Sequence, residues 1–194
     1  MYLLIEGIDM SGKSTQVDML KRAYRDAIVT REPGATKVGR KIREMLLNGE
    51  FNSERAEALA FVTDRAEHTA EVIKPNYDNF IISDRGFVSG VSYSAITTGD
   101  DINFLIRLNE YAMGDYKPSA IVILTIDEET FDARSALKEM DAIEKRGCAF
   151  FMRVQKLMVD VGTASEIPCI VLDGKDTKEN IHNLIVEFYA SITK

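Results

Sequence analysis

The sequence predicts a doubly wound α/β domain, in which helices cover both faces of a parallel five-stranded β-sheet. Short runs rich in Ile, Val and Leu alternate with longer segments of helical periodicity, which is the pattern of successive βαβ units. Each run stops at a Gly, Pro, Asp or other charged residue. With 194 residues, 45% of them hydrophobic, the chain can bury one sizeable core, and we expect a single domain over residues 1–194.

The predicted elements follow one another along the chain. Strands are expected at residues 2–6, 27–30, 80–83, 121–126 and 169–172. Helices are expected at 13–25, 38–48, 53–74, 87–97, 102–113, 144–162 and 178–192. Ser53 provides an N-cap for the third helix, with acidic residues in the first turn, and Pro75 ends that helix. Ligands of such sheets bind beyond the carboxyl ends of the strands, so the site residues are expected there.

The composition argues against several classes of function. A net charge of −7 and a pI near 5.0 disfavour a nucleic acid as partner, because that binding relies on Lys and Arg. Cys148 and Cys169 lack metal-ligand spacing and suggest a reducing compartment. No apolar run approaches the roughly 20 residues that span a bilayer, and the first residues resemble a strand more than a signal peptide. We therefore expect a cytoplasmic protein without a membrane partner.

The strongest motif is G-I-D-M-S-G-K-S at residues 7–14, a full match to G-x-x-x-x-G-K-[ST] between a predicted strand and a predicted helix. Backbone N–H groups of such a loop hold phosphate oxygens, Lys13 reaches the β- and γ-phosphates, and the Ser14 hydroxyl binds Mg²⁺. The alternative is a chance turn with a surface lysine. The predicted ATP-binding residues are Gly7, Ile8, Asp9, Met10, Ser11, Gly12, Lys13, Ser14 and Thr15.

Two classes of protein share this phosphate loop. A regulatory GTPase would also carry N-K-x-D for guanine and a D-x-x-G after a later strand. The sequence contains no N-K-x-D, and its one D-x-x-G, Asp9 to Gly12, lies inside the phosphate loop itself. A kinase acting on a small molecule is therefore favoured over a GTP-driven switch.

Three further segments complete a pattern: T-R-E-P-G at residues 30–34, D-R-A-E-H at 64–68 and D-R at 84–85. In this order and spacing they resemble the thymidylate kinase family. The resemblance implies a P-loop nucleoside-monophosphate kinase fold with a short lid at about 134–147. It also implies MgATP and dTMP as substrates, dTDP as the product for dTTP synthesis, and a homodimer. Another P-loop nucleotide or deoxynucleoside kinase with a different acceptor is the alternative, and an ATP-binding subunit of a larger assembly is a third.

Phe61 and Arg65 are four residues apart on a predicted helix and therefore project from one face. Alone, this pair would more often be a core Phe and a salt-bridged surface Arg. The resemblance implies that Phe61 stacks on thymine and that Arg65 bonds its carbonyl edge. It also implies that Tyr93 lies under the sugar, although a packed core Tyr is equally plausible without it. The predicted dTMP site is Asp9, Arg43, Phe61, Arg65, Arg85, Ser89, Gly90 and Tyr93.

Asp84 and Arg85 follow a predicted strand, at the sheet edge where two substrates must meet. The planar guanidinium of Arg85 suits the acceptor phosphate, because it can bind two oxygens at once. Asp84 is predicted to orient Mg²⁺ through water and so joins Ser14 in the metal site. The alternative for the pair is a helix cap beside a surface Arg.

The lid departs from the family pattern. Thymidylate kinases place a further cation over the transferring phosphate, either from an Arg in the phosphate loop or from an Arg-rich lid. The loop position holds Met10 and the lid region has few basic residues, so Arg134 is the first candidate and Lys138 the second; solvated helix charges are the alternative. The predicted catalytic residues are Lys13, Arg85, Asp9 and Arg134. The loop D-G-K-D at 173–176 either brackets adenine or is a plain turn.

Overall fold

A computed structural model describes residues 1–137 and 141–192 and shows the predicted parallel sheet. The strands run in the order β2-β3-β1-β4-β5. They comprise β1 (Tyr2–Gly7), β2 (Ile28–Arg31), β3 (Ile81–Asp84), β4 (Ala120–Thr125) and β5 (Cys169–Asp173). All four pairings are parallel, so every strand delivers its carboxyl end to the same edge.

The centre of the sheet is apolar on both faces, as a doubly covered parallel sheet requires. Residues Leu3, Leu4 and Ile5 of β1 are fully buried. Leu4 belongs to a core cluster on one face, while Leu3 and Ile5 belong to a cluster on the other. The outer strands β2 and β5 are partly exposed. Because the central strands are buried on both faces, they appear in the sequence as short continuous apolar runs, which is why they could be predicted.

Eight α-helices surround the sheet in the described part of the chain. They are α1 (Lys13–Ala23), α2 (Lys37–Asn48), α3 (Glu54–His68), α4 (Phe87–Thr98), α5 (Ile102–Met113), α6 (Glu128–Ser135), α7 (Cys148–Ala164) and α8 (Lys178–Ile192). As predicted, the Ser53 hydroxyl caps α3 by accepting from the Ala56 N–H at 3.3 Å. The helix α6 was missed. Its signal was present, because the Asp127 carboxylate accepts from the Thr130 N–H at 2.9 Å and two acidic residues follow in the first turn.

Two predicted helices were too long. The predicted helix 53–74 ends its α-helical part at His68 and continues as a π turn (Thr69–Ile73) and a 3-10 turn (Lys74–Asn76). Pro75 lacks the N–H that an α-helix would need there. The predicted helix 144–162 is a 3-10 turn (Glu144–Arg146) followed by α7. Gly147 separates them, because its φ of 85° is outside the helical range.

The topology gathers the predicted chemistry at one edge of the sheet. The phosphate loop follows β1. Asp84 is the last residue of β3, and Arg85 comes directly after it. The helix α6, which carries Arg134, comes shortly after β4, and Gly174 follows β5. Within residues 1–137 and 141–192, no helix has both the length and the apolar content to cross a bilayer.

Candidate active site

The phosphate loop joins β1 to α1 through three residues with positive φ. These are Gly7 at 144°, Met10 at 69° and Gly12 at 98°. Gly7 is needed for space as well, since a Cβ there would lie 2.5 Å from the Leu124 carbonyl oxygen. Residues 9–15 line the cleft of the phosphate loop, together with Arg134 and Gly174. Gly7 and Ile8, which were also predicted to bind ATP, do not line that cleft, and their carbonyls accept from Arg85 and Lys13.

Lys13 is the first residue of α1 and is nearly buried, at 6% exposure. Its ammonium group donates to the Ile8 carbonyl at 2.9 Å. Burial, with a smaller contribution from the nearby Arg85 charge, lowers the pKa of Lys13 to about 8. Lys13 is therefore a buried cation at the sheet edge, and a bound anion would stabilise its charged form.

Ser14 and Asp84 face each other across the ends of β1 and β3. The Ser14 hydroxyl donates to Asp84 Oδ2 at 3.4 Å. The other carboxylate oxygen, Oδ1, is buried and has no hydrogen-bond partner among the described residues. Mg²⁺ prefers oxygen ligands and binds through one or two carboxylates plus substrate phosphates. The hydroxyl and the orphaned carboxylate oxygen therefore fit the predicted metal site.

Arg85 bridges the phosphate loop and the acceptor side. Its Nη1 donates to the Gly7 carbonyl at 2.8 Å and its Nη2 lies 2.7 Å from Asp9 Oδ1. The Arg85 guanidinium lies 5.7 Å from the centre of the Tyr93 ring. Burial acts to lower the pKa of Arg85, but Asp9, Tyr93 and Asp84 raise it above its ordinary value. The guanidinium therefore stays charged between the two clefts.

The sequence reasoning missed the role of Glu6, a fully buried residue of β1. Glu6 Oε1 accepts from the N–H groups of Gly86 and Ser89, each at 3.0 Å, and Oε2 accepts from the Ser89 hydroxyl. Burial raises the pKa of the Glu6 carboxyl. Its hydrogen bonds, rather than its charge, hold the N-terminus of α4 and the adjoining segment that carries Arg85. An acidic residue within an apolar strand was the available signal.

All eight residues of the predicted dTMP site line one cavity. The cavity lies between α2, α3 and α4 on the acceptor side of the phosphate loop. Its walls also include Glu32, Pro33, Leu46, Leu47, Asp64, Gly86, Asp141 and Ile143. Asp9 lines this acceptor cavity and the phosphate-loop cleft as well. The two clefts therefore adjoin at Asp9 and its partner Arg85.

Arg65 is more buried than a surface arginine, at 2% exposure. Its Nη2 lies 2.6 Å from Glu32 Oε2, and Phe61 lines the same cavity one helical turn away. Burial acts to raise the pKa of Glu32, yet Arg65 and His68 bring it below its ordinary value. The alternative interpretation was a salt-bridged surface Arg. Arg65 does form an ion pair, but it is buried.

Arg134 reaches the phosphate loop from the C-terminal turn of α6. Its Nη1 donates to the Met10 carbonyl at 2.7 Å and its Nη2 to the Gly174 carbonyl at 3.1 Å. The second candidate, Lys138, is outside the described residues. Farther along the predicted lid segment, the Ala142 N–H donates to the Leu47 carbonyl at 3.3 Å, and Asp141 and Ile143 line the acceptor cavity. The described residues of this segment thus contact both clefts.

Comparisons with known proteins agree with this geometry. The family model for thymidylate kinase matches residues 5–185. The chain is 44% identical over 189 residues to a thymidylate kinase of Sulfurovum, covering 97% of this chain and 98% of the relative. It is 44% identical over 193 residues to that of Campylobacter jejuni subsp. doylei, covering 97% and 99%. The chain belongs to the thymidylate kinase family.

The fold agrees with this membership. A crystal structure of thymidylate kinase from Ehrlichia chaffeensis superposes with a TM-score of 0.76 at 25% identity, covering 98% of each chain. This member of the thymidylate kinase family therefore has the predicted P-loop nucleoside-monophosphate kinase fold. Its departure from the family pattern at Met10 leaves Arg134 as the described lid cation that contacts the phosphate loop.

Proposed function

We propose that the protein transfers the terminal phosphoryl group of ATP to dTMP, producing ADP and dTDP for dTTP synthesis. One observation carries the proposal: Asp9 borders both the phosphate-loop cleft and the acceptor cavity, and Arg85 binds it at 2.7 Å. Two nucleotides occupying these clefts would meet phosphate to phosphate at this point. Family membership supports the identity of the two nucleotides.

The mechanism we infer is in-line attack by a phosphate oxygen of dTMP on the γ-phosphorus of ATP. That oxygen is ionised near neutral pH, so the protein contributes position and charge rather than a strong base. Lys13, Arg85 and Arg134 supply the charge. Each donates to a carbonyl of the phosphate loop, at 2.9, 2.8 and 2.7 Å respectively. Three cations are thus arranged around one loop before any phosphate arrives.

Ser14 and Asp84 are the residues that would hold Mg²⁺ with the nucleotide. Bound there, the metal would neutralise phosphate charge and help orient the triphosphate. In the protein alone, these two side chains place their oxygen atoms near Lys13. One of them, Oδ1 of Asp84, is buried and has no described hydrogen-bond partner.

For the acceptor we infer that Phe61 stacks on the pyrimidine and that Arg65 binds its carbonyl edge. Arg85, with Arg43 and Asp9, receives the phosphate end, and Ser89 and Gly90 line the wall between them. Tyr93 lies beneath the sugar, where a buried ring restricts a 2′-hydroxyl. Closure of a lid at about 134–147, within a single kinase domain, would exclude water and limit ATP hydrolysis.

An acceptor screen tests the proposal. Purified protein is incubated with MgATP and, separately, dTMP, dUMP, dCMP or dGMP, and the diphosphate product is measured. We expect kcat/KM for dTMP to exceed the values for dCMP and dGMP by about 10²-fold or more. Cytosine places an amino donor against the buried guanidinium donor, and the purine ring of guanine is larger than a pyrimidine. Preference for another monophosphate, or ATP hydrolysis without acceptor phosphorylation, would reject the proposal in favour of another kinase or an assembly subunit.

We also propose that the protein works in the cytoplasm as a homodimer. Supporting the dimer, α5 presents Phe104 and Tyr111, seven residues apart on one helical face and 48% and 87% exposed. The helix α3, which contacts α5, presents Leu59, which is 53% exposed. Exposed large apolar side chains on neighbouring helices are the kind of surface that marks a protein interface.

Replacing Phe104 and Tyr111 with aspartate tests the dimer. We expect the mass in solution, measured by light scattering, to fall from two chains to one, because two charges would be desolvated at the interface. Leu137→Asp is the matched control, since Leu137 is 88% exposed but lies outside this surface. A single-chain mass for the unmodified protein, or an unchanged dimer in the double variant, contradicts the proposal.

A further inference from the structure

A chain of buried polar side chains lies behind Arg65. Thr30 Oγ1 is 2.6 Å from His68 Nε2, and His68 Nδ1 is 2.7 Å from Glu32 Oε1. The other oxygen of Glu32 lies 2.6 Å from Arg65 Nη2. These four residues are between 0% and 8% exposed. The chain therefore runs from β2, through α3, to the wall of the acceptor cavity.

Asn109 of α5 holds the other side of the same guanidinium. It is 1% exposed, and its Oδ1 accepts a hydrogen bond from Arg65 Nη1. The orientation of the amide follows from its other end, where Nδ2 donates to the Leu105 carbonyl at 2.7 Å. Because a carbonyl can only accept, the amide nitrogen must face Leu105 and the amide oxygen must face Arg65.

Gly90 of α4 provides the space in which the guanidinium lies. A Cβ at this position would be 2.6 Å from Arg65 Nη1, 3.0 Å from Nη2 and 3.1 Å from Asn109 Oδ1. Any side chain would therefore displace Arg65 or Asn109. Gly90 and Asn109 therefore fix the position of the Arg65 guanidinium together, Gly90 by leaving space and Asn109 by accepting a hydrogen bond.

The guanidinium of Arg65 carries five N–H donors, and Asn109 and Glu32 each contact one of its nitrogens. No described residue accepts from the buried Nε. Arg65 lines the acceptor cavity, and a guanidinium carries donors but no acceptor. A ligand group that meets this part of the wall must therefore be a hydrogen-bond acceptor.

We propose that Asn109 is a positioning residue that sets the choice of pyrimidine by holding Arg65 between itself and Glu32. This inference rests on the proposed dTMP kinase function and deepens it. A pyrimidine with a carbonyl at its 4-position offers the acceptor that the held guanidinium requires. A 4-amino pyrimidine places a donor against a donor, which leaves both groups unpaired in a dry site. Discrimination between dTMP and dCMP thus depends on a residue that we place outside the cavity lining.

The test is the variant Asn109→Leu, which keeps the approximate volume and removes the acceptor. We expect the KM for dTMP to rise by about 10-fold or more, as for loss of a hydrogen bond to a charged group. The KM for ATP should stay within about 2-fold, since the phosphate-loop cleft is separate. The ratio of kcat/KM for dTMP to that for dCMP should fall by about 10-fold. Arg65→Ala gives the upper limit of both changes.

Two variants separate positioning from folding. Asn109→Asp retains an oxygen facing Arg65 and should restore most of the dTMP affinity and the dTMP-to-dCMP ratio. Asn103→Leu makes the same change on the exposed surface of α5 and should alter neither KM. If Asn109→Leu does not fold, Gly90→Ala is measured instead, because its Cβ would separate Arg65 from Asn109 while both side chains are kept, and the same selective rise in KM for dTMP is expected.

Unchanged KM and unchanged discrimination in a folded Asn109→Leu protein would overturn the inference, as would equal losses toward dTMP and ATP. These outcomes leave the proposed function intact, because the unmodified enzyme would still phosphorylate dTMP. Failure of the unmodified enzyme to use dTMP would instead reject the proposed function, and with it the base that this inference assigns to Arg65.

Discussion

Replacing Lys13 with methionine is expected to lower kcat/KM for ATP by about 10²–10³-fold, the loss that follows removal of one preorganised charge stabiliser. Lys13 is the buried cation of the phosphate loop, held 2.9 Å from the Ile8 carbonyl, and methionine keeps its length without its charge. Steady-state kinetics with dTMP held at saturation measure the effect. Lys156→Met, on the exposed side of α7, is the control for loss of a lysine.

The same residue predicts a pH dependence. Burial and the Arg85 charge lower the pKa of Lys13 to about 8, and kcat/KM reports the protonation of the free enzyme. Since the charged form binds the triphosphate, kcat/KM for ATP should be level below pH 8 and fall as pH rises through it. Lys13→Arg, which stays protonated, should abolish that fall even if its activity is lower. A fall that persists in Lys13→Arg would assign the titration to another group.

Replacing Arg134 with alanine is expected to lower kcat by about 10³-fold, the lower range for loss of a cation that neutralises a transferring phosphoryl group. Arg134 bonds the Met10 and Gly174 carbonyls at 2.7 and 3.1 Å, so its charge stands over the cleft. Arg134→Lys should recover part of the rate, because one ammonium group cannot reproduce the planar two-point contact. Pre-steady-state measurement of dTDP formation isolates the chemical step.

The control for Arg134 is Arg153→Ala, an exposed arginine of α7, which should leave kcat unchanged. A higher KM for ATP at unchanged kcat would mean that Arg134 contacts the nucleotide without stabilising the transition state. Unchanged values for both parameters would remove Arg134 from the site and leave Lys138 as the next candidate.

The phosphate loop could be predicted from the sequence because all of its motif residues lie within eight consecutive positions. Glycines at fixed spacing, a lysine and a serine between a strand and a helix predict a phosphate loop from adjacent positions alone. The placement of Phe61 and Arg65 on one helical face was also predictable, because their spacing alone requires it. Their roles toward dTMP came from the family resemblance. The segments 30–34, 64–68 and 84–85 indicated the family through their order and spacing, and the family model confirmed it.

Glu6 and Asn109 could not be recognised in the same way. Each acts across the fold: Glu6 binds the start of α4, 80 to 83 residues later, and Asn109 contacts Arg65 across 44 residues. An acidic residue in the apolar strand β1 marked Glu6 as unusual without indicating its partner, and asparagine is ordinary in a helix. Burial made their polar groups significant, because a desolvated carboxylate or amide needs a partner and so orients it.

The sequence by itself determined the strand-helix alternation, the edge of the sheet at which the phosphate loop lies and the residues predicted to bind phosphates, because these depend on neighbours within a few positions. Tertiary structure alone decided that the two clefts adjoin at Asp9, that Arg134 reaches the phosphate loop and that Arg65 is held from both sides. Those facts depend on which distant segments pack together, and packing is set by the whole core rather than by any local pattern.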